Sequence, residues 1–465
     1  MKKNDIITLK IEDITNLGFG VGKHEGAVVF VASLVPGDVA EVKIIKAASS
    51  YFVGKCEKLI ALSEKRVDPR CQNQKCHSCA YKVLSYEEEL KLKADTIRAA
   101  FSKSGLSDVE VLPTVPSPKV IGYRNKAQYP VKRGKDGKIT IGFYAPKSHN
   151  VCEAADCLMS PAIFRDILEE LRAFFEKHSV STYDELSGKG LMRHIYLRRS
   201  EESGEVLLTL VINGKSFPHE KELIADITEK FPNICGILLN VNTENTNVIL
   251  GEKFIPLYGN DYITDTLAGV KLKITAPSFY QVNHGTATLI YEEARRLAAL
   301  EKNDTLLDLF CGAGSIGLSM AKDCRELIGI EIVDSAVKCA RYNAEQNGIS
   351  NAHFYTGDAA NAEDFLKNAE AERGEAIRPD VVILDPPRAG SDEKLLKFVA
   401  SLSPRRIVYI SCNPATLARD VATLRPLGYT TDKVKGYDMF PMTGHVESVV
   451  CLTRTFDNEL RERMN

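Results

Sequence analysis

One cysteine stands where the sequence predicts that a strand ends and a helix begins. Cys412 follows the apolar run 406–410 and precedes Asn413 and Pro414, and proline is favoured in the first turn of a helix. The partial positive charge of a helix N-terminus lowers the pKa of a thiol, so this position predicts a thiolate that can act as a covalent nucleophile. Packing in a core is the commoner fate of a cysteine, and the residue type alone does not separate the two interpretations.

Such a nucleophile needs a base nearby, and Glu447 is the candidate. It enters the apolar strand run within 445–450, where a buried carboxylate is unfavourable unless it has a partner or a role. A carboxylate beside the nucleophile could take a proton from the substrate. Strand alternation could equally leave Glu447 exposed, so the sequence keeps both interpretations.

A glycine-rich loop predicts a nucleotide-binding site. Gly312, Gly314 and Gly317 follow the predicted strand 305–310, so the backbone can turn tightly and approach a ligand. Glu331 ends the next predicted strand, where a carboxylate can accept hydrogen bonds from ribose hydroxyls. This pattern also satisfies the dinucleotide fingerprint, which keeps a nicotinamide-dependent oxidoreductase open as an alternative. Asp308 before the glycines resembles the first motif of class I methyltransferases, in which the acidic side faces the sulfonium and amino-acid moiety of S-adenosylmethionine.

Two further acidic residues follow predicted strands of the same region. Asp358 comes after the strand 353–355, in the place where class I methyltransferases hold the adenine. Asp385 comes after the strand 381–384, and Pro386 and Pro387 then fix a rigid turn at the edge where doubly wound sheets bind ligands. The Asp-Pro-Pro sequence resembles the substrate-base motif of nucleic-acid methyltransferases, with a plain rigid loop as the alternative.

A second group of cysteines has the spacing of a metal site. Disulfides are rare in the cytosol, so each of the 12 cysteines is expected to be core filler, metal ligand or nucleophile. Cys71, Cys76 and Cys79 lie close in sequence, and Cys157 or Cys152 could supply a fourth thiolate. Four thiolates can hold either a 4Fe–4S cluster or a zinc ion.

The elements that must position these residues divide the chain into three predicted parts. Beyond about residue 300, apolar strands alternate with helical segments, which predicts an α/β fold with a doubly wound parallel sheet at 271–465. Short runs rich in Val and Ile, separated by turns, predict a small β-barrel at 1–62. The residues between them, 63–270, are expected to form a central α+β domain that carries the cysteine group.

Charge limits the partners that the chain can have. Its 465 residues carry a formal net charge of −2, so the molecule as a whole is not a basic nucleic-acid binder. The stretch 119–138 contains seven basic residues and one acidic residue. It could bind along a phosphate backbone, or it could be an ordinary solvated hairpin. The basic residues are Lys119, Arg124, Lys126, Lys132, Arg133, Lys135 and Lys138. Without a membrane-length apolar run or a secretory signal, we expect a cytoplasmic protein with no membrane contact. We also expect it to be a monomer.

Taken together, the motifs resemble those of the RNA (uracil-5-)-methyltransferase family. The segments 279–283, 308–317, 385–388, 411–414 and 445–447 occur in the order and spacing of that family. The N-terminal segments 14–22 and 31–38 resemble the TRAM domain, an OB-like barrel found on RNA-modifying enzymes. The resemblance covers nearly the whole chain and implies a Rossmann-like class I methyltransferase domain at its C-terminal end.

The resemblance also implies roles for particular residues. The methyl donor S-adenosylmethionine would be contacted by Gln281, Phe310, Ser315, Glu331, Asp358 and Asp385. Cys412 would add to carbon 6 of a uracil so that carbon 5 can attack the methyl group, and Glu447 would then remove the carbon 5 proton. The family's ribosomal branch has a similar cysteine layout, which implies a 4Fe–4S cluster on Cys71, Cys76, Cys79 and Cys157.

RNA is therefore the expected partner, and the resemblance of the barrel and the cysteine group to the ribosomal branch of the family favours 23S ribosomal RNA over tRNA. The target base should leave its stack to reach the nucleophile. Two alternatives stay open. One is a tRNA uracil-5 methyltransferase, and the other is an RNA-binding or chaperone-like protein with a vestigial catalytic domain, against which the intact Cys412 and Glu447 argue.

Overall fold

The N-terminal residues form a six-stranded sheet, as the sequence predicts for the barrel. The computed structural model describes residues 1–455 apart from 74, 135, 146–147, 362, 364–365, 368–369, 371–373 and 375. The sheet has the strand order β1-β5-β6-β4-β3-β2 and is antiparallel except where β4 pairs with β6. Alternate residues of β1 and β5 point into its core. The strands are β1 (Ile6–Lys10), β2 (Asp13–Ile14), β3 (Phe19–His24), β4 (Ala27–Ala32), β5 (Val39–Ala47) and β6 (Phe52–Ala61).

A seven-stranded sheet forms the central part of the chain. Its strand order is β10-β9-β8-β11-β12-β13-β14, and every residue of β12 is buried, as expected of a central strand. The hairpin β15–β16 follows it. The strands are β8 (Lys126–Arg133), β9 (Ile139–Tyr144), β10 (Val151–Glu153), β11 (Met192–Arg199), β12 (Val206–Ile212), β13 (Ile234–Val241), β14 (Lys253–Gly259), β15 (Tyr262–Leu267) and β16 (Val270–Thr275).

The C-terminal sheet is doubly wound, which confirms the predicted α/β fold. Its order is β19-β18-β17-β20-β21-β24-β23-β7, with β22 beside β24, and the pairs from β19 to β21 are parallel. Leu306 packs into one apolar cluster and Leu307 into another, so both faces of the sheet are covered. The strands are β7 (Glu110–Val111), β17 (Thr305–Leu309), β18 (Glu326–Glu331), β19 (Ala352–Thr356), β20 (Val381–Leu384), β21 (Arg406–Ser411), β22 (Tyr429–Thr430), β23 (Lys433–Tyr437) and β24 (Glu447–Arg454).

Helices cover these sheets and connect their strands. Ser85 caps α1 by accepting a hydrogen bond from the Glu88 backbone N–H, and Asn413 caps α8 in the same way through Ala415. The helices are α1 (Tyr86–Lys103), α2 (Ala162–Lys177), α3 (Glu220–Lys230), α4 (His284–Ala298), α5 (Ser315–Met320), α6 (Asp334–Gln346), α7 (Glu393–Ser401) and α8 (Pro414–Leu424). Short 3-10 turns lie at Ala321–Asp323, Ala359–Asn361 and Arg425–Leu427.

Part of the predicted central segment packs with the C-terminal sheet. Helix α1 contacts α8, and β7 pairs with β23 at the sheet edge, although both elements precede the central sheet in sequence. The residue limits of the three domains stay a prediction. Among the described residues, none of the helices is both long enough and apolar enough to cross a membrane.

Candidate active site

The predicted catalytic residues lie at one edge of the C-terminal sheet. The strand order reverses between β17 and β20, and doubly wound sheets bind ligands outside the strand ends at such a point. Leu309 pairs with Leu384 across this switch, so Phe310 and Asp385 follow on adjacent strands. The next two strands, β21 and β24, bring the predicted nucleophile and base to the same edge.

Cys412 and Glu447 come together through the register of β21 and β24. Ser411 and Ser448 are direct partners in this antiparallel pair, so the next positions on the two strands are Cys412 and Glu447. The two side chains are close enough to interact, because the Glu447 carboxylate raises the pKa of the Cys412 thiol.

The Cys412 thiol does not have the lowered pKa that its place before α8 predicts. Burial raises its pKa, and the Glu447 carboxylate adds to the rise, whereas Arg388 opposes both through its charge and a hydrogen bond. The expectation of a lowered pKa is therefore wrong, because burial and the Glu447 carboxylate outweigh the Arg388 guanidinium at this half-buried thiol.

Glu447 is buried rather than exposed, which decides between the two interpretations left open by its sequence. Its side chain is only 6% exposed. Burial raises its pKa to about 8, the Asp385 carboxylate adds to the rise, and Arg388 opposes it. No hydrogen bond from the described residues lowers this pKa. A carboxyl group with these properties can accept and release a proton near neutral pH.

Arg388 is a functional candidate that the sequence argument left without a role. Its backbone carbonyl accepts a hydrogen bond of 3.0 Å from the Asn413 side chain, which ties the loop after β20 to the cap of α8. Its guanidinium lowers the pKa of both Cys412 and Glu447. The available signal was the arginine directly after the two prolines, in a loop that already carried the Asp-Pro-Pro sequence.

The glycine loop presents a buried carboxylate with one unsatisfied oxygen. Asp308 is fully buried, and its Oδ2 accepts a 3.0 Å hydrogen bond from the Gly317 backbone N–H. Its Oδ1 is buried without a hydrogen-bond partner among the described residues. Burial raises the pKa of Asp308 to about 8, and burial also raises that of the neighbouring Asp385 to about 7. Both groups would be stabilised by a bound cation.

Glu331 is held at the end of β18 by the backbone. Its carboxylate accepts hydrogen bonds from the Gly312 N–H at 3.1 Å and the Val333 N–H at 2.9 Å. The next two side chains, Ile332 and Val333, are 62% and 51% exposed, so an apolar surface lies directly beside the carboxylate. Phe310 precedes the glycines with a φ of 70°, a left-handed conformation that non-glycine residues adopt mostly at constrained sites.

The three remaining predicted donor contacts lie on separate segments of the chain. The Ser315 hydroxyl forms a 2.8 Å hydrogen bond with the hydroxyl of Tyr291. Asp358 is exposed after β19, two strands away from β17 on the same edge. Gln281 lies before α4, where its backbone carbonyl accepts a 2.9 Å hydrogen bond from the Asn125 side chain.

The four predicted cluster ligands line one small cavity. Cys71, Cys76, Cys79 and Cys157 face it together with Met159 and Met442. Burial and the three other thiols raise the pKa of Cys79 to about 12, as expected where several sulfurs converge. Cys152 approaches Cys76 but lies outside this cavity, and its thiol donates to the Phe143 carbonyl at 3.1 Å.

The cysteine sulfurs are spaced more widely than a zinc site requires. No three of them among the described residues lie within 4.8 Å of one another. Sulfur atoms bound to one zinc ion at ~2.3 Å in a tetrahedron lie about 3.8 Å apart. The arrangement therefore suits a ligand larger than a single ion.

The basic stretch does not form one continuous surface. Lys119 pairs with Glu201, and Lys132 donates to the His149 carbonyl at 2.8 Å beside Glu185. Arg124 and Lys126 differ, because they lie on the segment that contacts 281–283, near the active-site edge. Burial and the nearby charges of Arg198 and Arg124 lower the pKa of Lys126 to about 8, as expected where cations gather. Lys135 lies outside the described residues.

Two family models match parts of the chain. Residues 235–455 match the family model described as tRNA (uracil-5-)-methyltransferase, and residues 2–55 match the TRAM domain. The chain is 38% identical over 454 residues to a protein of Clostridium tetani, with 97% of both chains covered. It is also 38% identical over 457 residues to a protein of Bacillus cereus, with 98% of both covered. Both relatives are described as RNA methyltransferases.

A solved structure resembles nearly the whole chain. It is the tRNA (uracil-54, C5)-methyltransferase of Pyrococcus abyssi in complex with S-adenosyl-L-homocysteine. The TM-score is 0.75 and the identity 28%, with 96% of this chain and 100% of that chain covered. The N-terminal sheet is therefore part of an architecture shared with an enzyme that acts on tRNA.

Proposed function

The chain belongs to the RNA (uracil-5-)-methyltransferase family, and we propose that it methylates carbon 5 of a uridine through a covalent adduct on Cys412. It is an S-adenosylmethionine-dependent enzyme that acts on RNA. The observation that carries the covalent mechanism is a half-buried thiol and a buried carboxyl group at the positions next to the Ser411–Ser448 pair of β21 and β24.

The donor site that we propose is the loop from Phe310 to Gly317 with the adjoining strand ends. The unsatisfied Oδ1 of Asp308 fits the positive charge of S-adenosylmethionine, which supplies an electrophilic methyl group. Glu331 fits the ribose hydroxyls, and the exposed Ile332 and Val333 beside it fit the flat face of the adenine. Asp358, Ser315 and Gln281 complete the proposed set. A nicotinamide dinucleotide would bring a pyrophosphate to this edge, where the buried carboxyl groups disfavour added negative charge.

In the mechanism that we propose, Cys412 attacks first and Glu447 acts last. The Cys412 thiolate, stabilised by Arg388, forms a bond to carbon 6 of the uracil, and the ring becomes an enolate. Carbon 5 then takes the methyl group, and the bond from sulfur to that group breaks. The Glu447 carboxylate next accepts the carbon 5 proton, the electron pair re-forms the ring double bond, and the Cys412 sulfur leaves carbon 6. The enzyme regains its thiolate, and its carboxyl group has gained one proton.

We further propose that Cys71, Cys76, Cys79 and Cys157 hold a 4Fe–4S cluster. The support is their common cavity and a sulfur spacing wider than zinc requires. The neighbouring backbone reaches the catalytic end of the chain, because the Tyr81 N–H donates to the Met442 carbonyl at 2.9 Å. Such a cluster would hold this part of the chain against the loop that leads to Glu447.

Ribosomal 23S RNA is the substrate that we propose, with tRNA as the second candidate. The cysteine layout supports ribosomal RNA by its resemblance to the ribosomal branch. The Pyrococcus enzyme supports tRNA, and its coverage of 96% of this chain means that the N-terminal barrel does not separate the two substrates. Mapping 5-methyluridine in both RNAs of a strain lacking the protein decides between them. Loss confined to tRNA would overturn our first choice. The cytoplasmic location and the monomeric state stay predictions from the sequence.

The mechanism is tested by two variants that should fail at different steps. Cys412→Ala should bind RNA, form no adduct and lose methyl transfer by several orders of magnitude. Glu447→Gln should attack and methylate but then stall, because the carbon 5 proton has no acceptor. A denaturing gel with labelled S-adenosylmethionine should therefore show a labelled protein–RNA band for Glu447→Gln only.

The control is Cys451→Ala, which removes a cysteine of β24 outside the site and should keep wild-type turnover. The Cys412→Ala variant is also tested on RNA that contains 5-fluorouridine. If it still gives a trapped protein–RNA band, another residue is the nucleophile. If Glu447→Gln turned over at the wild-type rate, Glu447 would not be the base, but the assignment of Cys412 would be unaffected.

A further inference from the structure

A second group of possible metal ligands lies where α2 ends and α3 begins. His178 follows the last residue of α2, His219 precedes the first residue of α3, and Glu222 lies in the first turn of α3. One ligand atom from each residue lies within 4.8 Å of the other two. The residues belong to the central part of the chain, apart from the cysteine cavity and the active-site edge.

The distances within this group fit a small transition-metal ion. The His178 Nε2 atom lies 3.5 Å from Glu222 Oε2, and the His219 Nδ1 atom lies 3.7 Å from the same oxygen. Nitrogen and oxygen ligands at ~2.0–2.2 Å from zinc in a tetrahedron lie about 3.3–3.6 Å apart. The ligand nitrogens of the two histidines lie within 4.8 Å of each other, so an approach of these side chains would bring all three atoms to bonding distance of one ion.

The imidazole of His178 is aimed into this group without a hydrogen bond. Its side chain is only 10% exposed, and Nε2 is buried without a hydrogen-bond partner among the described residues. The ring packs between the rings of Phe174 and His219, each with a centroid distance of 4.3 Å, so its orientation is fixed. A buried polar atom without a partner is unfavourable unless something binds it.

The backbone of His219 adds to this observation. Its φ is 55°, in the left-handed region that side chains other than glycine seldom adopt, and its imidazole does not cap α3. Backbone strain of this kind persists where the surroundings fix a residue for a purpose. Here the strained conformation brings the ring against that of His178.

We propose that His178, His219 and Glu222 bind one divalent transition-metal ion, with zinc as the ion that the ligand set fits best. Two imidazoles and one carboxylate are common zinc ligands, and hard cations such as Mg²⁺ prefer oxygen. The side chains of His219 and Glu222 are 45% and 58% exposed, so an ion can enter from solvent and keep a fourth position for water. The bound ion would join the end of α2 to the start of α3.

The test compares zinc content between wild type and variants of the two exposed ligands. Tag-free, full-length holoprotein is dialysed against Zn²⁺, and metal is counted by mass spectrometry. His219→Ala and Glu222→Gln should each hold one zinc fewer per chain than wild type. Glu220→Gln, in the same helical turn but outside the group, should match wild type. Cysteine-bound metal is common to all four proteins and cancels in the difference.

A second measurement does not depend on stoichiometry. The difference spectrum of Co²⁺-loaded wild type minus His219→Ala should show visible ligand-field bands without a thiolate charge-transfer band, since the proposed ligands include no sulfur. Zinc should also raise the Tm of wild type and of Glu220→Gln above that of the two ligand variants. Equal zinc content in all four proteins, or a thiolate band in the difference spectrum, would overturn the proposal.

Discussion

Replacing Lys93 by methionine should destabilise the protein strongly and in a pH-dependent manner. Lys93 lies on α1 with its side chain fully buried. Its ammonium group donates to Glu89 at 2.6 Å, to Asp438 at 2.5 Å and to the Phe440 carbonyl at 3.2 Å. These contacts fix α1 to the loop that leads from β23 to Glu447.

The magnitude follows from what methionine leaves behind. Its side chain is similar in size, so the main change is the loss of the one positive charge between two buried carboxyl groups. Removing one partner of a buried ion pair costs about 3–5 kcal/mol, and leaves the other charge uncompensated. Glu89 can relieve part of this cost by binding a proton, since burial already raises its pKa to about 7, with Asp438 adding to the rise and Lys93 opposing it.

The pH dependence has a definite sign. A carboxyl group whose pKa is higher in the folded than in the unfolded state binds more protons when folded, so stability falls as pH rises. In the wild type this fall lies between the ordinary pKa of 4.5 and about 7 for Glu89. Without Lys93 the pKa of Glu89 rises further, so the fall continues to higher pH. Lys93→Met should therefore cost more at about pH 7.5 than at about pH 5.5.

Urea unfolding followed by circular dichroism at both pH values measures this cost. Lys91→Met is the matched control, because Lys91 is exposed on the same helix, and it should change the free energy of unfolding by less than about 0.5 kcal/mol. Equal costs for Lys91→Met and Lys93→Met would refute the reasoning. A Lys93→Met cost that falls as pH rises would refute the proton argument alone.

Three further results are expected. Anaerobically purified protein should be brown and hold about four irons per chain. Cys79→Ser should lose the colour, and Cys152→Ser should keep it. A colourless protein with one zinc at the cysteines would contradict the cluster. Asp308→Asn should weaken S-adenosylmethionine binding at least about tenfold in calorimetry, because a charged contact is worth about 1.5–3 kcal/mol. NADH should give no heat of binding with either protein, and NADH binding would contradict the donor assignment. Arg124→Ala should lower the salt dependence of RNA binding more than Lys132→Ala does. If the two variants have equal slopes of affinity against salt concentration, Arg124 is an ordinary surface residue.

Hydrophobic pattern was enough to predict the C-terminal sheet but not all of the barrel. The strand 381–384 was predicted to the residue, because a run of Val, Ile and Leu bounded by charged residues and prolines has few alternatives. The strand β3 is not one of the runs rich in Val and Ile that predict the barrel, and its Gly20 and Gly22 resemble turn residues. The structure explains these glycines by close approach, because a Cβ atom on Gly22 would lie 2.4 Å from the Lys10 carbonyl oxygen.

Properties that depend on distant residues were not predictable in this way. The position of Cys412 followed from its strand and helix, but its pKa depends on Glu447 and Arg388, which approach it only in the folded chain. Nothing near α1 in the sequence indicates that Lys93 meets Asp438, which lies 345 residues further on. The sequence therefore named the candidate residues, whereas their charge states depend on the fold.

The charge states suggest how one carboxyl group can act at the right moment in the proposed reaction. The raised pKa of about 8 would leave Glu447 largely protonated at neutral pH, and a protonated carboxyl group cannot act as a base. A sulfonium cation at the same edge favours the charged carboxylate, so we expect the pKa of Glu447 to fall when the donor binds. Methyl transfer removes that positive charge, since the sulfonium becomes a neutral thioether. The pKa of Glu447 should then rise again before the carbon 5 proton is removed. Because its site is buried, Glu447 becomes a stronger proton acceptor after methyl transfer than before it.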